Sequence, residues 1–175
     1  MGVIYRNGLG YYMNNSETAK EAFDHFVSAF ENKLINVEPC KLFNDVFVHI
    51  DIPNQTPRFT YVMFDSLNSK KVIAQSVIVF AGMVEGDKKK WQIGWCVDED
   101  HRQKGIGYDL ASKALQEFSY NLKKDLEGDY MEANVDEGNI ASIRIAEKLI
   151  GGEEILARKE PGKKAHSFLK QFKPH

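Results

Sequence analysis

The chain has 175 residues, 43% of them hydrophobic and 27% charged, enough for one sizeable core but not two. A formal net charge of −2 and a pI near 6.2 exclude the global basic field that draws a protein onto nucleic acid or an anionic membrane surface. Cys40 and Cys96 stand far apart with no disulfide or metal-ligand spacing, so a reduced, cytoplasmic setting without a zinc site is expected.

The N-terminus, Met1 to Arg6, lacks a basic segment followed by an apolar one, and Arg6 stands where a myristoylation signal wants Ser or Thr. Neither a secretion signal nor a lipid anchor is expected. Ser16 then caps an expected amphipathic helix whose stripe is Ala19, Ala22, Phe23, Phe26, Ala29, Phe30 and Leu34. Beyond Pro39, Val46, Val48, Ile50 and Ile52 alternate with Phe47, His49 and Asp51 in a strand that Pro53 ends. Arg58–Phe64 and Lys71–Met83 read as two more strands, parted by the turn-forming run Asp65 to Ser69. The longest apolar run, Val77–Val84, is far short of the roughly 20 residues that span a bilayer, so a soluble protein with no membrane partner is expected.

Gly86-Asp87 with Lys88, Lys89 and Lys90 reads as a solvated hairpin turn before a strand at Trp91–Val97. From Gly105 the period changes: Ile106, Leu110, Ala114, Phe118 and Leu122 recur every four residues on one helical stripe. Tyr130–Val135 alternates as a strand, Asn139–Ile150 is helical, and Glu153–Arg158 and His166–Phe172 are strands joined at Pro161-Gly162-Lys163. The expected fold class is α/β, in the sense of an α+β mixed sheet: an antiparallel meander, then helix, strand, helix and hairpin.

The chemistry concentrates where a strand, Trp91–Val97, passes through the polar turn Asp98-Glu99-Asp100-His101 into Arg102-Gln103-Lys104-Gly105-Ile106-Gly107. Unpaired N–H groups at a helix N-terminus carry roughly half a positive charge, so a pyrophosphate can dock there if glycines admit it. Gly105 and Gly107 offer that access, and Arg102 and Lys104 add charge. The same glycines are equally explained by a tight strand-to-helix turn. A dinucleotide fingerprint fails because Leu110 occupies the third glycine position, and no Gly-x-x-x-x-Gly-Lys-Ser/Thr loop exists.

Arg102-x-x-Gly105-x-Gly107 resembles the acetyl-CoA motif of the GNAT superfamily of N-acetyltransferases, Gln/Arg-x-x-Gly-x-Gly/Ala. Val97 lies five residues before it, as that family's apolar strand residue does. Ile93-Gly94-Trp95-Cys96-Val97 with Asp98-Glu99 is similar to the branch that includes ribosomal-protein N-terminal acetyltransferases. So is Asn139-Ile140-Ala141-Ser142 with Arg144, Glu147-Lys148-Leu149 and Gly151. The resemblance implies one GNAT-like acyl-CoA N-acyltransferase domain over 1–175. An acceptor-side helix and meander would occupy 1–90, the acetyl-CoA segment 91–152 and the hairpin 153–175.

The resemblance further implies that acetyl-CoA is the acetyl donor, bound at Trp95, Cys96, Val97, Arg102, Gln103, Lys104, Gly105, Ile106, Gly107, Tyr108, Asn139 and Ser142. Amides from Gln103 to Tyr108 would hold the pyrophosphate, Trp95–Val97 would pair with the pantetheine arm, and an N–H near Trp95 would face the thioester carbonyl. Asn139 would bond the pantetheine, or simply cap a helix; Ser142 would lie near the sulfur, or be a helix-face hydroxyl. The Cys96 thiol reads as a small core residue. The acceptor would be a primary amine of a small molecule or peptide, attacking directly and without a metal, and a homodimer is compatible with the family.

The family's acid and base positions are altered. Ala146 stands where many relatives place a tyrosine, and Gln92 where the related branch often has a glutamate. Gln92 accepts no proton at neutral pH. Ser142, His49 and Gln92 are the remaining candidates, with His49 and Asp51 sharing a strand face and Tyr61, Asp98, Glu99 and Tyr130 as further donors or acceptors. A lysine-type amine is about one part in two thousand neutral at pH 7 and an α-amine roughly a tenth, so an α-amine asks least of such a site. The altered positions also suit a non-catalytic acyl-CoA-binding or sensing module, and the cradle alone would suit a generic nucleotide-phosphate protein. One residue more than the family spacing precedes Gly151, with Gly152 in place of an aromatic, so the helix end there is expected to differ.

Overall fold

Alternating apolar residues produce one sheet that helices cover on both faces. A computed structural model of the chain describes residues 16–84, 86–157 and 164–173. The readings made on Met1–Arg6, Arg158 and Pro161-Gly162-Lys163 lie outside the described residues. The elements in order are α1 (Ser16–Glu31), β1 (Glu38–Pro39), β2 (Phe47–Asp51), β3 (Arg58–Phe64), β4 (Val72–Met83) and β5 (Lys89–Val97). They are followed by α2 (Ile106–Leu122), β6 (Tyr130–Asp136), α3 (Ile140–Leu149), β7 (Glu153–Ala157) and β8 (Lys164–Gln171). The sheet has eight strands in the order β1-β2-β3-β4-β5-β6-β8-β7. All pairs are antiparallel except β5 with β6, which the α2 crossover makes parallel.

The pleat sends Trp91, Ile93, Trp95 and Val97 of β5 to the face covered by α2 and α3, where they join Leu110, Ala114, Phe118 and Ala146. Phe59, Trp91 and Phe118 meet edge-to-face there. The opposite face carries a smaller core in which Phe23 and Phe26 of α1 pack on Val62, Val72, Phe47 and Cys96.

Three sequence expectations are corrected. The stripe of α1 stops at Glu31; Lys33 turns the chain at φ 58° and Leu34 is left 77% exposed. Of the alternating set expected around β2, only Val48 and Val46, which precedes the strand, join the core on the α2 side, whereas Ile50 and Ile52 are exposed. Lys90 is not part of a solvated turn: it lies within β5, buried, and ion-pairs with Glu132 of β6 at 3.1 Å.

Candidate active site

The phase of β5 decides what it offers. Asp98 N–H donates to Ile73 O at 2.9 Å, in register with Ala74↔Val97 and Gln75↔Cys96. Backbone groups alternate along an antiparallel strand, so those of Cys96 and Gly94 face β4, and those of Val97, Trp95 and Ile93 face the β6 side. The ladder to β6 covers only Lys90↔Tyr130, Trp91↔Met131 and Gln92↔Glu132. Beyond it β6 follows β8 to Asp136↔Ala165. The two strands therefore part after Gln92, and β5 presents an edge from Ile93 to Val97 about 13 Å long, at ~3.3 Å per residue.

That edge leads into the turn before α2. Residues Glu99–His101 form a single 3₁₀ turn, and His101 pins it: Nδ1 meets Asp98 Oδ2 at 2.8 Å and Nε2 meets Asp65 Oδ2 at 3.2 Å. Burial works to raise the Asp98 carboxyl, but hydrogen bonds from His101 and Lys71 outweigh it and hold the group below the ordinary carboxylate range. Asp65 is lowered chiefly by the Leu67 N–H, and then by His101. Gln103 and Gly105 adopt left-handed backbone (φ 60° and 77°), and Gly105 is the N-cap of α2. The first turn opens with Asp109 N–H to Gly105 O at 3.0 Å, so the amides of Ile106, Gly107 and Tyr108 stand at the helix mouth where no carbonyl one turn back serves them.

The two glycines have different reasons. A Cβ on Gly105 would meet nothing within 4 Å, so its backbone angle is what calls for glycine. A Cβ on Gly107 would lie 3.2 Å from Ile145 Cδ1 and 3.3 Å from Val97 Cγ2, so this glycine lets α2 seat against α3 and β5. The cations are folded back on the turn: Arg102 Nε donates to Val97 O at 3.1 Å and Lys104 Nζ to Asp100 O at 2.9 Å.

On the other side of the opening, Asn139 Oδ1 caps α3 by accepting Ser142 N–H at 3.1 Å, and Trp95 Nε1 donates to Ser142 Oγ at 3.2 Å. Asn139, Ser142 and Trp95 are thus brought together across the parted strands. Cys96 points to the α1 face as a core residue, its thiol raised first by burial. His49 is not brought in. It lies on β2, bonds Asn36 O at 2.8 Å and sits edge-on to Phe26. With β3 and β4 between it and β5, it is about 14 Å from Gly94, the β5 residue in its row, at ~4.8 Å per strand, and Gln92 lies two residues further along. Asp51 is held by Arg58. Tyr61 is buried among the core residues on the α2 side, its phenol pushed up by burial, and Glu99 is exposed.

Gln92 is buried where the strands part, and its Nε2 donates to Glu132 Oε2 at 3.2 Å. Sequence reasoning passed over Glu132, since the two residues lie 40 apart in the chain. The only signal was the polar half of the β6 alternation, Tyr130, Glu132, Asn134 and Asp136. Ala146 is fully buried in the core and offers no acid.

A helix mouth rich in amides at one end and an open strand edge at the other fit a linear molecule with a pyrophosphate and an amide-bearing arm, which are the parts of coenzyme A. A family model described as "Acetyltransferase (GNAT) domain" matches residues 41–150. No curated protein matches the sequence. Among solved structures, the chain is similar to the NatC complex bound to Gag peptide and CoA, with 18% identity, TM-score 0.51, and coverage of 65% of this chain and 70% of that one. It is also similar to Arabidopsis thaliana NAA60 in complex with a bisubstrate analogue, with 13% identity, TM-score 0.50, and coverage of 65% and 75%. These two likenesses bear on the fold, whereas the family match spans the strand edge, the helix mouth and α3 together. The chain belongs to the GNAT family of acetyltransferases, enzymes that move an acetyl group from acetyl-CoA to an amine.

Proposed function

We propose that this chain acetylates a primary amine of a small molecule or peptide, holding acetyl-CoA between β5 and α3 with its pyrophosphate on the amides of Gln103 to Tyr108. The observation that carries the reading is the parting of β5 and β6 after Gln92, which opens the Ile93–Val97 edge directly below the mouth of α2. Backbone groups of Trp95 face that opening and are placed to pair with the arm and to meet the thioester oxygen, where charge develops as the amine attacks. Asn139 and Ser142 line its far side. The thioester is already activated, so the chain's part is to position it and to manage protons.

Titration of the purified chain with acetyl-CoA, with CoA and ATP as controls, tests the donor, and thiol release over a panel of peptides and amines tests the acceptor. Gly105→Asn keeps a residue that tolerates left-handed backbone, whereas Gly105→Asp adds a negative charge to the same geometry. Binding kept by the first and lost by the second is expected; equal binding by both would remove the pyrophosphate from α2. A second reading, a non-catalytic acyl-CoA sensor, is favoured by Gln92 and Ala146 and corresponds to binding with no thiol release on any amine. The reading takes residues 1–175 as one domain in a reducing, cytoplasmic setting, in keeping with free thiols at Cys40 and Cys96. Sedimentation measurements test whether two copies pair.

A further inference from the structure

The last rung of the β5–β6 ladder is Gln92↔Glu132, so these residues stand at the fork where the strands part. Their side chains share the sheet face opposite α2 and α3. There Glu132 Oε1 accepts from Lys90 Nζ at 3.1 Å, and Oε2 accepts from Gln92 Nε2 at 3.2 Å and Asn134 Nδ2 at 3.1 Å. Lys90 and Glu132 keep only 7% and 13% of their side-chain exposure. A buried ion pair seldom repays its desolvation in stability, so a chemical use is the better reason for this one. An arm laid along the open edge from the mouth of α2 at Val97 runs toward Ile93 with its thioester at Trp95, about 10 Å short of this fork at ~3.3 Å per residue, and the stretch between them is where an acceptor amine and a water can stand.

We propose that Glu132 is the proton acceptor of the acetyl transfer, supplying from β6 the carboxylate that Gln92 does not. This rests on the acetyl-transfer reading above. The acceptor ammonium gives one proton to Glu132, directly or through one water, and becomes a neutral amine. Its lone pair forms the C–N bond, the C–S bond breaks with its electron pair on sulfur, and a second nitrogen proton goes to the thiolate. Glu132 then returns its proton to solvent, so an ammonium and the thioester become an acetamide, a thiol and one released proton. A carboxylate has about four lone-pair sites, and among the described residues three are used here, which leaves one for the amine or water. Among the described residues, Lys90 from β5 is the cation in contact. Tyr130 and Asp136 of β6 share the face, β8 contributes uncharged Leu169, Ser167 and Gln171, and the Arg58–Asp51 pair lies across β3 and β2.

The test compares wild type, Glu132→Gln and Lys90→Met with one amine, so that the amine's own ionisation is common to all three. Glu132→Gln is expected to keep acetyl-CoA affinity within about twofold and to lose roughly 100-fold or more in kcat, with the enzyme's acid limb gone from the pH profile. Lys90→Met removes the facing cation and is expected to move that limb to higher pH while rate is recovered on its alkaline side. A Glu132→Gln profile that keeps the enzyme's acid limb, over and above the part set by the amine's own ionisation, overturns the proposal, even if thermal melting shows the variant less stable. Wild type that binds no acetyl-CoA, or turns over no amine, overturns the transfer reading and this proposal with it. Turnover with an unaltered Glu132→Gln profile overturns this proposal alone.

Discussion

Gly151 and Gly152 follow α3 with left-handed backbone, φ 73° and 66°, and they differ in what surrounds them. A Cβ on Gly152 would fall 2.7 Å from Leu169 O of β8, a backbone atom that cannot swing aside, whereas one on Gly151 would be 3.8 Å from its nearest neighbour. The helix end that sequence spacing marked as unusual is therefore a close passage of chain against β8. Gly152→Ala is expected to cost about 3 kcal/mol in urea unfolding, combining left-handed strain with a clash. Gly107→Ala, whose Cβ meets only side-chain atoms of Ile145 and Val97, is expected to cost about 1 kcal/mol. Equal losses would mean that β8 gives way as easily as a side chain. The sequence marks the helix end at Gly151-Gly152 as altered, but not which glycine is constrained, because the obstructing carbonyl belongs to a strand further along the chain.

α2 carries its apolar stripe as its four-residue repeat predicts, yet Glu117 lies inside the same buried face, 1% exposed. Its carboxylate accepts Lys41 N–H at 2.7 Å and Leu42 N–H at 2.8 Å, tying the segment before β2 to the middle of the helix. These amides have no other part in the sheet, so Glu117 does for them what a cap does for a helix. Glu117→Ala is expected to cost roughly 3 kcal/mol, more than a surface carboxylate by far, and to speed amide exchange at Lys41 and Leu42. Exchange unchanged at those two positions would show the bonds to be dispensable. Periodicity cannot foresee such a residue: it scores Glu117 as polar and outward, while the loop that needs an acceptor supplies the reason to bury it. β2 shows the converse, since its alternation is sound but Ile50 and Ile52 are exposed.

Across the molecule, the turn that leads into α2 is held by charges from two separated segments. Asp65 from the β3–β4 turn and Asp98 after β5 meet on His101, with Lys71 adding 3.2 Å to Asp98. Both carboxyls lie below their ordinary values, so the stability they lend is present above the unfolded carboxylate range near pH 4 and is lost as pH falls through their depressed folded values. A fall in melting temperature beginning below about pH 4, reduced in Asp98→Asn, is the expected outcome; an identical acid profile in that variant would place the loss elsewhere. The order of elements, the mixed sheet, the helix mouth at Gly105 and the family were all legible in the sequence, because each rests on local spacing that the chain carries in one stretch. Only the tertiary structure decided that Lys90 is buried, that Glu132 stands against Gln92, that His49 lies three strands from the opening, and that Gly107 serves packing. Those facts depend on which residues face one another across strands distant in sequence, and on where β5 and β6 part, and neither register nor splay is written in the periodicity of a single strand.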